Sequence, residues 1–257
     1  MKNLIIIFLF FKVITTFGQL DTALISKKLK DLDILLVPYN TELYINYEEV
    51  YLTKANNINS DKVNQTFRVS VDEYLLAELN KYCKSESMMN THTYNPDDEL
   101  FILYSKSSYF YDKAHNIDKN YLLFGSEKSK LSDKNTNSQK GELVDKISNN
   151  RNRFLNVKFS DRTFLSNLSK QFKTNYFLII TQFELKGDYS NPYAVGSMTY
   201  KRRMKIHFAL FNKNGKYITG SFSYADFSAE QNNIEEILHA SFPNIASDIV
   251  NKIALDL

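Results

Sequence analysis

Lys201, Arg203, Lys205 and His207 alternate along one run of the chain. That spacing places all four on one face of a β-strand. A row of cationic and titratable groups suits an anionic polymer or lipid head groups. It equally suits the solvated face of an edge strand, where lysines block pairing with other sheets, and edge protection is the weightier reading. Tyr189, Tyr193 and Tyr200 lie just before and at the start of this run. Tyrosine is enriched at interfaces, so these side chains are either a binding rim or filling for a loop.

The sequence has no Gly-rich phosphate loop, no Gly-x-Ser-x-Gly elbow and no His-Glu-x-x-His. Its histidines, His92, His115, His207 and His239, are too far apart for ligand spacing. His92 with Asp97, Asp98 and Glu99 comes nearest to a cation cluster, yet consecutive carboxylates need a shaped loop to face one ion. No catalytic residue, metal ligand or cofactor is assigned on this basis. Catalytic groups are sometimes assembled from distant positions, so an exported hydrolase with a site at a sheet end stays open as the alternative. The single cysteine, Cys83, falls in a helix-like run and reads as a small buried apolar residue.

Three consecutive strands must position these residues. Residues 176–185 are apolar on both faces, with Phe177, Ile179, Thr181, Phe183 and Leu185 on one and Tyr176, Leu178 and Ile180 on the other. Such a strand is covered on both sides. The next alternates cleanly, with Met204, Ile206, Phe208 and Leu210 opposite the basic residues, as a half-buried antiparallel strand does. Asn214-Gly215 then signals a hairpin, because both residue types tolerate positive φ. The return strand covers residues 217–224, with Ile218, Phe222 and Tyr224 on one face. Residues 187–199 form a Gly- and Pro-containing loop between the first two strands, a place for a movable flap.

Around this centre, residues 20–33 read as a short helix and 34–38 as a strand ended by Pro38. Residues 40–59 read as loop with a strand-like piece at 43–45. Ser70-Val71-Asp72-Glu73 reads as a capping box opening a helix. Residues 100–104, 109–111, 121–124 and 154–159 read as strands, and 160–173 as a capped amphipathic helix. Residues 230–255 are the most periodic helical stretch, with Pro243 predicting a kink or a division into two helices. Residues 125–152 are too polar to build a core and read as an exposed insertion. The expected fold class is α+β, an α/β sandwich. Its mixed, mostly antiparallel sheet carries helices packed on it, and a C-terminal helix closes a single domain over residues 20–257.

Residues 1–19 have the order of a cleaved secretory signal peptide: a basic start, an apolar run too short to span a bilayer, and small residues near Gly18. No cysteine follows the run, so it is not a lipoprotein signal, and no later run is long enough for a transmembrane span in the mature chain. A net charge of +3 does not suggest nucleic acid as a partner. The Lys, Asn, Ile and Tyr bias, with no Trp, suggests an AT-rich genome and, with export, the periplasm or envelope of a bacterium, or secretion from it.

The run Ile34 to Pro38-Tyr39, a helix from Ser70, a helix from Ser160, the strand Asn175-Tyr176-Phe177-Leu178-Ile179-Ile180 and the hairpin Phe211 to Ile218 follow one another in order. With residues 242–253 as a closing helix, the chain resembles the envelope α/β modules of the curli-secretion CsgG and TolB N-terminal type. The resemblance implies a non-enzymatic binding or assembly module of the cell envelope. Its partner would be an envelope protein or an anionic envelope polymer, with homo-oligomerisation open. The lipid-anchor cysteine and the transmembrane hairpin of the curli protein have no counterpart here, so pore formation does not carry over.

Overall fold

The computed structural model describes residues 22–90, 95–114, 152–161 and 163–257. The expected signal peptide at 1–19, the strand at 121–124, His92, His115 and all of the polar stretch at 125–152 except Asn152 lie outside the described residues.

A mixed sheet of six strands organises the chain, in the order β3-β1-β6-β7-β8, with β2 added beside β6. Strand β1 (Asp33–Val37) runs parallel to both β3 (Lys84–Ser87) and β6 (Tyr176–Gly187). The short β2 (Tyr44–Asn46) continues the line of β1 along the far half of β6. Strands β6, β7 (Lys201–Asn212) and β8 (Tyr217–Ser228) form the antiparallel meander that the apolar patterning predicts. A separate two-stranded ribbon pairs β4 (Ser107–Lys113) with β5 (Arg153–Phe159).

One face of the sheet is covered by helices α1 (Thr22–Leu29), α2 (Glu49–Asn56), α3 (Ser60–Leu79) and α7 (Ile234–Asp256). Phe67, Leu75, Phe242 and Ile249 pack there on Leu36, Leu178, Ile206 and Phe208. Burying one such side chain contributes about 1.5–3 kcal/mol. The opposite face takes α4 (Pro96–Ser105), α5 (Phe164–Phe172) and β5, whose Leu103, Leu165 and Val157 meet Val37, Phe177 and Ile179. This is the expected α+β sandwich with its closing C-terminal helix.

Several local expectations are overturned. Residues 100–104 belong to helix α4: Asn95 accepts from the Asp97 N–H, Pro96 occupies the first turn, and Asp97, Asp98 and Glu99 complement the helix dipole. Helix α3 starts at Ser60, where Asn59 accepts from the Lys62 N–H, so Ser70 is mid-helix and opens nothing. The stretch read as loop at 40–59 contains α2. The last helix starts after Asn233, which accepts from the Glu236 N–H, and of the two alternatives at Pro243 the division into two helices is not found, since one helix runs through it. At the hairpin only Gly215 takes positive φ, 75°. Lys216 and Asn214 N–H groups donate to Asn212 Oδ1 and fix the turn.

The face assignment of β6 also changes. Its pairing with β7 shifts between Ile180 and Gln182, so Thr181 is the extra residue of a β-bulge. Beyond the bulge the parity reverses. Phe183 and Leu185 join Leu178 and Ile180 under the helices, while Phe177 and Ile179 face the other way. A second shift at Leu210/Phe211 leaves Ile218 as the extra residue, packed on the helix side, while Phe222 and Tyr224 face β5.

Candidate functional site

The basic face is not solvated. β7 lies between β6 and β8, so it is a central strand, and the ribbon packs over the face carrying Arg203, Lys205 and His207. Arg203 is 2% exposed and forms a bidentate ion pair with Asp226, at 2.6 and 2.7 Å. Lys205 Nζ donates to the Arg153 carbonyl at 3.0 Å and stands 3.9 Å from the centre of the Phe222 ring. Burial pulls its amine down to about 7. His207 accepts the Leu155 N–H on Nδ1 at 2.6 Å, which puts the proton on Nε2, and burial holds its pKa well below the ordinary imidazole value. Thr181 Oγ1 donates to the Leu155 carbonyl from the neighbouring strand. Lys205, His207 and Thr181 fasten the ribbon to the sheet, while Arg203 ties β7 to β8. Of the four predicted basic site residues, only Lys201 is exposed.

The end of the sheet holds a different constellation. Glu48 and Arg202 both have side chains with 0% exposure, and Arg202 Nε stands 2.6 Å from Glu48 Oε2. Tyr200 donates to Glu48 Oε2 at 3.0 Å, and the Tyr189 hydroxyl donates to Glu48 Oε1. The guanidinium lies 5.1 Å from the Tyr51 ring centre and 5.8 Å from that of Tyr200. Its Nη1 donates to Asn232 Oδ1 at 2.7 Å and to the Gln231 carbonyl at 3.3 Å. Burial, reinforced by the Glu48 carboxylate, raises the Tyr189 hydroxyl well above its ordinary pKa and keeps it a donor. With these donors upon it and no exposure, Glu48 positions its neighbours and is closed to a substrate.

Each element contributes for a local reason. Glu48 directly precedes α2, its N–H donating to Asn46 Oδ1. Gly187 lets Glu48 and Tyr189 approach, since a Cβ there would stand 2.6 Å from Glu48 Oε1. The loop after β6 is folded: Asn191 caps the short helix α6 (Pro192–Gly196), and Asp188 N–H donates to the Lys201 carbonyl. Asn56 ties α2 to the start of α7 by accepting the Ile234 N–H.

Tyr51 and Tyr189 border this pair, and exposed side chains flank both of them in the chain. Tyr47 directly precedes Glu48, and Val50 and Tyr51 lie in the first turn of α2, at 65%, 76% and 43% exposure. Tyr189 and Tyr193 come from the loop, at 43% and 87%, which leaves them open to a partner. The structure therefore brings predicted Tyr189 close to Tyr200 (ring centres 5.3 Å apart), and separates both from Lys205 and His207. Sequence reasoning missed Glu48, Tyr47, Tyr51 and Arg202. The signal for Arg202 was its parity: it falls on the apolar face with Met204 and Ile206, where a charge requires a buried partner.

Among the described residues no group of three or more His, Cys, Asp and Glu side chains is placed to hold a metal ion. No helix among them is long and apolar enough to cross a membrane. No family model, curated protein or solved structure matches this chain.

Proposed function

We propose that this protein is a non-enzymatic, exported binding or assembly module of the bacterial cell envelope, and that the tyrosine rim at the sheet end is its contact surface. The carrying observation is the set of exposed side chains Tyr47, Val50, Tyr51, Tyr189 and Tyr193 on the two segments that meet at the fully buried Glu48–Arg202 pair through Tyr51 and Tyr189. Aromatic side chains held on a rigid base lose little entropy on binding, which suits interface anchors. The signal-peptide reading and the resemblance to CsgG- and TolB-type modules support the envelope assignment. The charge argument for an anionic polymer weakens, because Arg203, Lys205 and His207 are turned inward. That favours an envelope protein as the partner.

The test is a pull-down with the native exported protein and a Tyr47→Ser/Tyr193→Ser variant. Both side chains are exposed, so the melting temperature should hold while partner recovery falls at least tenfold, the loss of roughly 1.4 kcal/mol or more. Undiminished recovery would overturn the rim assignment. Mass spectrometry of the mature N-terminus checks export: an intact Met1 would remove the signal-peptide reading.

A further inference from the structure

The ribbon is held to the sheet unequally along its length. At its base, Val157 sits in the core with Leu103 and Leu165, and Tyr109 and Phe159 pack against it. At its tip, where Lys113 pairs with Arg153, the apolar contact is a separate small cluster of Ala114, Phe154 and Phe222. The rest of the tip hangs on polar contacts. Leu155 gives both of its main-chain groups to the main sheet: the N–H donates to His207 Nδ1 at 2.6 Å, and the carbonyl accepts from Thr181 Oγ1. The Arg153 carbonyl accepts from Lys205 Nζ at 3.0 Å, and the Tyr111 hydroxyl reaches Gln182 Oε1 at 3.4 Å. Side chains of β6 and β7 thus stand where a neighbouring strand would pair with β5.

One of these contacts cannot survive a proton. A neutral imidazole has one acceptor nitrogen and an imidazolium has none. His207 commits its acceptor to the Leu155 N–H, is 1% exposed, and its Nε2 finds no hydrogen-bond partner among the described residues. Protonation in place would orphan a buried N–H and add a buried charge. The carboxylates of the surrounding strands are already engaged. Glu184 on β6 pairs with Lys186 at 3.0 Å, Asp226 on β8 pairs with Arg203, and Asp112 on β4 accepts from Asn156. Tyr224 on β8 lies under the Arg203 guanidinium, and Lys205 and Lys186 bring positive charge towards the ring.

We infer that the ribbon tip is a lid that opens in acid, freeing residues 111–114 and 152–155 from the sheet and bringing His207 and Lys205 to water. The base stays packed, so the ribbon opens from its tip. In water the imidazole takes its proton at the ordinary value of 6.5, whereas burial defers this to much lower pH in the closed form. Between those values the open form holds one more proton. Opening therefore grows as pH falls, by up to about tenfold per unit. Lys205 acts in the same direction at higher pH, from its ordinary 10.5 down to about 7, and carries its proton in both forms below that. Below pH 6.5 the effect belongs to His207. This inference does not depend on the tyrosine rim.

The test is native-state hydrogen exchange of the full protein, read by NMR as protection factors, which remove the pH dependence of exchange itself. Between about pH 6.5 and about pH 5, Leu155 should lose roughly tenfold or more in protection, while Phe208 at the centre of β7 keeps its own. His207→Gln supplies a side-chain oxygen that accepts the Leu155 N–H without titrating, so it should hold Leu155 protection level across that range. Thr181→Val removes a tip contact but no titrating group, so it should lower Leu155 protection about fivefold at every pH and keep the slope. If His207→Gln fails to fold, the slopes of the wild type and of Thr181→Val decide. A Leu155 amide indifferent to pH, one that loses protection in step with Phe208, or a folded His207→Gln variant with the wild-type slope would overturn the inference.

Discussion

Arg202 and Glu48 stabilise the sheet end only as a pair. Removing one partner from a buried ion pair leaves a charge without compensation. Glu48→Ala should therefore destabilise the protein by about 3–5 kcal/mol, whereas a joint Glu48→Met/Arg202→Met replacement should cost less, as urea unfolding would show. Equal losses would mean that the hydrogen bonds from Tyr189 and Tyr200 dominate the cluster. Asp72 carries a different prediction. It is buried in α3, accepts from the Ser87 hydroxyl at 2.7 Å, and burial pushes its carboxyl from 3.8 to about 6. Between those values the folded chain holds a proton that the unfolded chain has lost. Stability thus falls as pH rises through that window and stays lower above it. Asp72→Asn keeps the acceptor and removes the charge, so it should raise stability by about 2 kcal/mol at pH 7.5 and by little near pH 4. An unchanged melting temperature at pH 7.5 would contradict this. Neither effect was legible in the sequence. Asp72 looked like part of a capping box, because Ser-Val-Asp-Glu satisfies that pattern wherever it falls.

At the scale of the element, periodicity found what it is suited to find. Strands β6, β7 and β8, the amphipathic α5 and the long α7 were all readable, because each presents a sustained apolar face. Short apolar runs were not. Leu100 to Tyr104 reads as a strand until the Asn95-Pro96 start and three acids are weighed, and these mark a helix N-terminus. The basic face of β7 failed for another reason: alternation shows that two faces differ, not that the polar face meets water. A ribbon distant in sequence covers it, and Arg153 and Leu155 offer main-chain partners to Lys205 and His207. The bulge at Thr181 was likewise invisible to a strict two-residue period. Deleting Thr181 should return Phe183 and Leu185 to the ribbon side and abolish cooperative folding. Thr181→Val, which loses only the bond to the Leu155 carbonyl, should cost about 1 kcal/mol. A folded deletion variant, by circular dichroism and denaturation, would show that the register repairs itself elsewhere.

Over the whole molecule, the candidate surface lies at the sheet end and the acid-opened lid on the face away from α3 and α7. The rim at the sheet end was half legible. Tyr189 and Tyr193 stood out as a loop rim, but the other half of that rim, Tyr47 and Tyr51, arrives on the segment around Glu48, 141 residues before Tyr189. Such convergence depends on how β2 is laid beside β6, which no local pattern encodes. The order of the strands has a temporal consequence as well. The early strand β1 is sandwiched between β3 and β6, and every described strand of the main sheet except β3 reaches it through β6. Until residue 176 has emerged, β1 can pair only with β3, and the ribbon β4–β5 has no main sheet to pack on. A chain made from its N-terminus must therefore wait for β6 before the parallel and antiparallel halves of its main sheet can join, so that sheet is completed late.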